Sequence, residues 1–109
     1  MANITSTIEL KVELDDNRIP EKLSWTADDG GINNEEAKAI LLSVWDSKAQ
    51  ETLRIDLWTK DMPINDMFIM YHQTLMGMAS SLEKATGEDK LAGALRDYCG
   101  FFAEQTKIL

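Results

Sequence analysis

The stretch Asn33–Leu75, NNEEAKAILLSVWDSKAQETLRIDLWTKDMPINDMFIMYHQTL, decides how the rest of the chain is read. Asn33 or Asn34 is placed to cap a helix, and Glu35 and Glu36 follow where the positive end of a helix dipole favours carboxylates. Ala37, Ile40, Leu41, Val44 and Trp45 recur at the spacing of one helical face, and Ala39 and Leu42 widen it. This segment therefore reads as a well-buried helix closed by Asp46-Ser47-Lys48. Thr52–Thr59 alternates instead, with Leu53, Ile55 and Leu57 facing one way and Thr52, Arg54, Asp56 and Trp58 the other, which predicts a strand. Pro63 suits a first helical turn, and the pattern predicts a helix from there to about Ala85. Its inward stripe is Ile64, Met67, Phe68, Tyr71, Leu75, Met78 and Leu82, while Ile69, Met70 and Met76 lie off that stripe and suggest a second packing surface.

Toward the N-terminus, Ile8–Asp15 alternates strictly, with Ile8, Leu10, Val12 and Leu14 against Glu9, Lys11, Glu13 and Asp15. A strand with one buried and one wet face follows from that period of two. Asp15-Asp16-Asn17-Arg18 and Pro20 break it, and Leu23, Trp25 and Ala27 open a second alternating run. Matching the apolar faces in a hairpin puts Leu14 opposite Leu23, Val12 opposite Trp25 and Leu10 opposite Ala27. Asp28-Asp29-Gly30-Gly31 reads as a turn that needs glycine's backbone freedom; its acids lack the alternating spacing of an EF-hand loop. Toward the C-terminus, Thr86-Gly87-Glu88-Asp89 ends one helix and resembles a capping box for the next. That last helix aligns Leu91, Ala94, Leu95, Tyr98 and Phe102, and Gly77, Gly93 and Gly100 are expected where two helices approach closely.

The expected architecture is α+β in the order ββαβαα: a three-stranded, mainly antiparallel sheet with one face covered by three helices. Its 109 residues suit a single domain, residues 1–109, with 1–7 as a lead-in that is flexible or extends the first strand.

Nineteen acids against eleven bases leave a formal charge of −8, which argues against nucleic acid and against anionic lipid, since both call for clustered Lys and Arg. The opening MANITSTIELKVELDD has neither the basic start nor the apolar centre of a signal peptide. The apolar runs are too short to insert in a membrane. A single cysteine, Cys99, allows no intrachain disulfide and fits a reducing compartment. A cytoplasmic location follows as the expectation.

Few residues carry chemistry. His72, the only histidine, has Phe68, Ile69, Leu75 and Met76 as its helical neighbours, so a catalytic dyad would need a partner brought in by the fold. Cys99 has Arg96 and Phe102 nearby on its helix and reads as a small hydrophobe. One His and one Cys fall short of a zinc site, and neither a phosphate loop nor a nucleophile elbow is present, so no metal, cofactor or catalytic residue is assigned. Trp58 stands apart as a large aromatic on the polar face of a strand, a residue type favoured at binding hot spots.

Three stretches carry a resemblance: ELKVELDDNRIPEKLSWTADDGG, NEEAKAILLSVWDSKAQETLRIDLWTKDMPINDM and HQTLMGMASSLEKATGEDKLAGALRDYCGFFAE. Together they resemble the gliding-motility protein GldC family of Bacteroidetes, from about Ile8 to Glu104, and SVWDSKAQETLRIDLWTKDMP is the most specific part. The resemblance implies a non-enzymatic accessory protein of gliding motility that works through contacts with other gliding-motility proteins. It would sit on the cytoplasmic side of the envelope, peripheral to the inner membrane through a partner. The competing expectation is a small-ligand or metal-dependent enzyme built around His72, Cys99 or the Asp28-Asp29 loop. A third is a homodimer formed through Trp58 or through the flank of Ile69, Met70 and Met76.

Overall fold

In the computed structural model, which describes residues 3–108, the chain forms two compact units, Met1–Met62 and Pro63–Leu109. The first is built of strands, the second of helices. The strands are β1 (Ile8–Leu14), β2 (Pro20–Ala27), β3 (Ile32–Ala37), β4 (Ala39–Asp46) and β5 (Glu51–Trp58); the helices are α1 (Ile64–Thr86) and α2 (Asp89–Thr106). The order is therefore βββββαα, in a three-stranded sheet β1-β2-β3 and a two-stranded ribbon β4-β5. This corrects the expected ββαβαα order and the single three-stranded sheet under three helices. Every strand pairing is antiparallel.

The error lies in the central stretch itself. Asn33–Asp46 is two strands, not a helix. The same run supports both periods, because Ile40, Leu42 and Val44 also alternate with Leu41, Ser43 and Trp45. Pairing settles the matter: Ile40 faces Leu57, Leu42 faces Ile55 and Val44 faces Leu53, so a complementary apolar face follows a few residues downstream. Asn34 does not cap a helix. It sits at a positive φ of 50° beside a register shift in the β2–β3 pairing, and its N–H donates to the Thr26 hydroxyl at 3.0 Å.

The β1–β2 hairpin keeps the expected faces but not the expected register. Leu10 pairs with Trp25 and Val12 with Leu23, two residues from the alignment drawn from phase alone. The turn is tighter than the sequence implied: Asp15 N–H donates to Ile19 C=O at 2.9 Å, and Arg18 takes a φ of 63°. Asp15 Oδ1 accepts from the N–H groups of Asn17 and Ile19, which fixes the reversal. Leu23, flanked by Val12 and Ala37 on the central strand, is fully buried. The apolar faces of β1 and β5 are not covered as expected: Leu10 and Val12 each keep 37% of their surface and Ile55 52%. The loop after β2 is a single 3-10 turn, Asp28–Gly30, and Gly31 holds the left-handed φ of 70° that the two glycines predicted.

The second unit is a helical hairpin. Phe68 and His72 of α1 both meet the Phe102 ring of α2, at 6.3 and 6.4 Å, and Arg96 reaches Glu83 at 3.1 Å. Gly87 ends α1 at φ 74°, as expected. The capping-box reading is corrected: Thr86 is the last residue of α1, Glu88 precedes α2, and the Thr86 hydroxyl accepts from Glu88 N–H at 3.1 Å. The buried positions belong to small residues, Ala79, Ala92, Cys99 and Ala103. Leu91, Met78 and Tyr98, all placed on inward stripes, are exposed. The glycines do not mark a close approach either, since a Cβ at Gly77, Gly93 or Gly100 would meet nothing within 4 Å.

Candidate interaction surface

The β4–β5 ribbon carries two exposed tryptophans, Trp45 and Trp58. Its loop is a four-residue reversal in which Asp46 Oδ1 accepts from the N–H groups of Lys48 and Ala49, and Gln50 takes a φ of 58°. Eight pairs follow, from Asp46–Glu51 to Ala39–Trp58. One face holds Ile40, Leu42, Val44, Leu53, Ile55 and Leu57. The other holds Trp58 beside Ala39 and Trp45 beside Thr52. Trp58 is 52% exposed and Trp45 59%. Six residues of extended strand separate them, a span of roughly 20 Å. Between them Arg54 grips both oxygens of Asp56 at 3.0 Å.

The sequence singled out Trp58 but missed Trp45, which its helical reading had placed in a buried stripe. The signal was available in the alternation of Leu41, Ser43 and Trp45, which puts all three on one side of a strand. The other candidate residues lie on α1: Ile69 and Met70 are half-buried and Met76 is exposed.

At the other end of the ribbon a polar clasp ties the strands of the first unit together. Thr59 N–H donates to Lys38 C=O at 2.9 Å, and its hydroxyl donates to Asp61 Oδ1 at 2.6 Å. Lys38, in the single-residue break between β3 and β4, pairs with Asp61 at 3.0 Å and with Glu36 at 3.4 Å. Lys60 pairs with Asp15 at 3.0 Å and Glu21 at 3.3 Å, and its N–H reaches Pro20 C=O at 3.3 Å. The Thr59 hydroxyl, and after it the Lys38 ammonium, hold the Asp61 carboxyl below its usual range. The Ile19 amide and then Lys60 do the same for Asp15. The two lysines are raised in turn, Lys38 by Asp61 and then Glu36, Lys60 by Asp15 and then Glu21. Thr59-Lys60-Asp61, within the run most specific to the resemblance, therefore closes the β5 end against the β1–β2 turn and the β3–β4 break.

The His72 ring stacks on Phe102, and Cys99 is buried in α2. Asp28 and Asp29 occupy an exposed turn. Among the described residues no group of three or more His, Cys, Asp or Glu is placed to hold a metal ion, and no helix is long and apolar enough to cross a membrane. An apolar groove of about 360 Å³ runs beside Ile8, Leu10, Trp25, Ala37 and Ala39–Leu42, with no ionisable side chain in its lining.

No curated protein and no solved structure matches the chain. The family model for gliding motility-associated protein GldC-like matches residues 20–108, from the first residue of β2 to just beyond α2. That match takes in the tryptophan-bearing ribbon, the clasp and both helices, so the chain belongs to the GldC-like family of gliding motility-associated proteins.

Proposed function

We propose that this protein serves gliding motility by contact and not by chemistry, as a non-enzymatic accessory that docks on another protein of the gliding system. The observation that carries the reading is the pair of half-exposed tryptophans, Trp45 and Trp58, on one face of the β4–β5 ribbon. Large rigid aromatics gain contact area at little entropic cost, and truncating such anchors typically removes about 2 kcal/mol or more of binding. The Arg54–Asp56 fork between them sets a fixed charge pattern that helps a partner find its register. The face lies on the cytoplasmic side of the envelope in this reading, peripheral to the membrane through its partner.

Colony spreading tests this, in cells carrying Trp45→Ala or Trp58→Ala at normal protein abundance, beside a gene deletion. Either substitution should impair spreading and reduce the same crosslinked partner recovered with the wild-type protein. Unimpaired spreading in the double variant, at normal abundance, would sink the reading.

A further inference from the structure

We propose that two copies of this chain associate along the outer edge of β5, antiparallel, about a two-fold axis through Ile55. This goes beyond the docking face above, because it uses the strand's backbone edge and its apolar face, with Arg54 and Asp56 of the tryptophan face setting the register. Among the described residues the β4–β5 ribbon has no third strand. A two-stranded ribbon is marginally stable in water, and this one leaves Val44, Leu53 and Ile55 about half exposed. The backbone shows which groups are free. Thr59 N–H donates to Lys38 C=O, and the register from Ala39–Trp58 to Asp46–Glu51 turns the amides of Leu53, Ile55 and Leu57 toward β4. The N–H and C=O groups of Thr52, Arg54 and Asp56 therefore point outward, along an edge that pairs with no strand among the described residues. From Asp56 onward Ile19 and Pro20 border this edge across a groove, and it closes at Lys60, whose N–H is taken by Pro20 C=O. An unpaired edge is a template for another strand.

Charge selects the second copy as that strand and fixes its register. With the axis at Ile55, Arg54 faces Asp56 of the second copy and Asp56 faces its Arg54, in the two positions that exchange both backbone hydrogen bonds. The intrastrand Arg54–Asp56 fork then becomes half of a ring of four alternating charges. Ile55 meets Ile55 and Leu53 meets Leu57 in the closer, non-bonded positions, where apolar side chains touch best. Moving the axis one residue to either side sets Arg54 against Arg54 or Asp56 against Asp56, which like-charge repulsion disfavours. The product is a four-stranded antiparallel sheet, β4-β5-β5-β4, with a continuous apolar face.

Light scattering on the full chain tests this. The wild-type protein should run at twice its 12.3 kDa. Arg54→Asp and Asp56→Arg should each weaken self-association at least about tenfold, because each sets like charges in both symmetry-related positions. Mixed one to one, the two variants should form a dimer, since the hetero-pair restores Arg opposite Asp at every position. That recovery also excludes misfolding as the cause of the single-variant losses. Raising the wild-type concentration should slow hydrogen exchange at the Arg54 and Asp56 amides. A wild-type monomer at roughly 100 µM would overturn the proposal. So would single variants that dimerise as well as the wild type, a mixture that stays monomeric with both variants folded, or exchange at Arg54 and Asp56 that ignores concentration.

Discussion

Asp61 shows how much structure one carboxylate can organise in a strand-built unit. It accepts from the Thr59 hydroxyl and pairs with Lys38, thereby fastening the end of β5 to the break between β3 and β4. Its folded pKa lies below the ordinary value of 3.8, so its stabilising effect is complete above that pH and is lost as pH falls through the folded pKa. Asp15 behaves in the same way. Lys38 and Lys60 have raised folded pKa values, so their stabilisation is present below 10.5 and fades at higher pH. Asp61→Asn should therefore lower the thermal midpoint at pH 7, with the gap from wild type closing as the pH falls through the lowered folded pKa to an acid pH at which both states are protonated. Melting curves at the two pH values check this; a gap that persists at the acid end would show that the clasp works through shape and not charge. The sequence showed none of this, because Lys38, Thr59 and Asp61 become neighbours only when β4 and β5 pair.

At the scale of elements, the helical hairpin and the β4–β5 ribbon depart from their apolar stripes for different reasons. Apolar stripes weight the largest residues, but the positions that the hairpin buries belong to small ones. In the hairpin these are Ala79, Ala92, Cys99 and Ala103, while Leu91 and Tyr98 stay exposed. Gly77 lies mid-helix with open space where a Cβ would go. Gly77→Ala should therefore stabilise the protein by about 0.5–1 kcal/mol, through the entropy an alanine saves in the unfolded chain. Denaturant midpoints measure it, and a loss of stability would restore the close-approach role expected of that glycine. In the ribbon, Ala39–Asp46 has enough helix formers to pass as a helix, yet its apolar alternation finds its match in Leu53, Ile55 and Leu57. Complementarity between segments overrides local preference in strands more readily than in helices.

Across the whole molecule, charge is the simplest quantity to act on. Eight net negative charges repel one another in the folded state, whereas most of the ion pairs, Lys60–Asp15 apart, are of the exposed kind that contributes little. Screening should therefore relieve more repulsion than attraction. Raising NaCl from roughly 20 mM to 500 mM, which shortens the screening length severalfold, should raise the melting temperature. A fall on adding salt would mean that the Lys38 and Lys60 clasp outweighs the net charge. Self-association along β5 is separable from this effect, since it depends on protein concentration at fixed salt.

What the sequence determined by itself was every feature written in short-range chemistry. The period of two in β1, β2 and β5, the left-handed glycines at 31 and 87, and the start of α1 after Pro63 all follow from a few adjacent residues, whereas the exposure of Trp58 came only with the structure. Family membership was legible too, because the runs that carry the likeness are contiguous. Only the tertiary structure decided that Ile32–Asp46 is strand, that β5 pairs with β4 and not with the β1–β2 hairpin, and that Trp45 shares a face with Trp58. A run compatible with both periods has no local free-energy difference large enough to choose between them. The choice is made by the partner strand, which supplies its hydrogen bonds and apolar face only once the chain has turned at Asp46 and come back alongside.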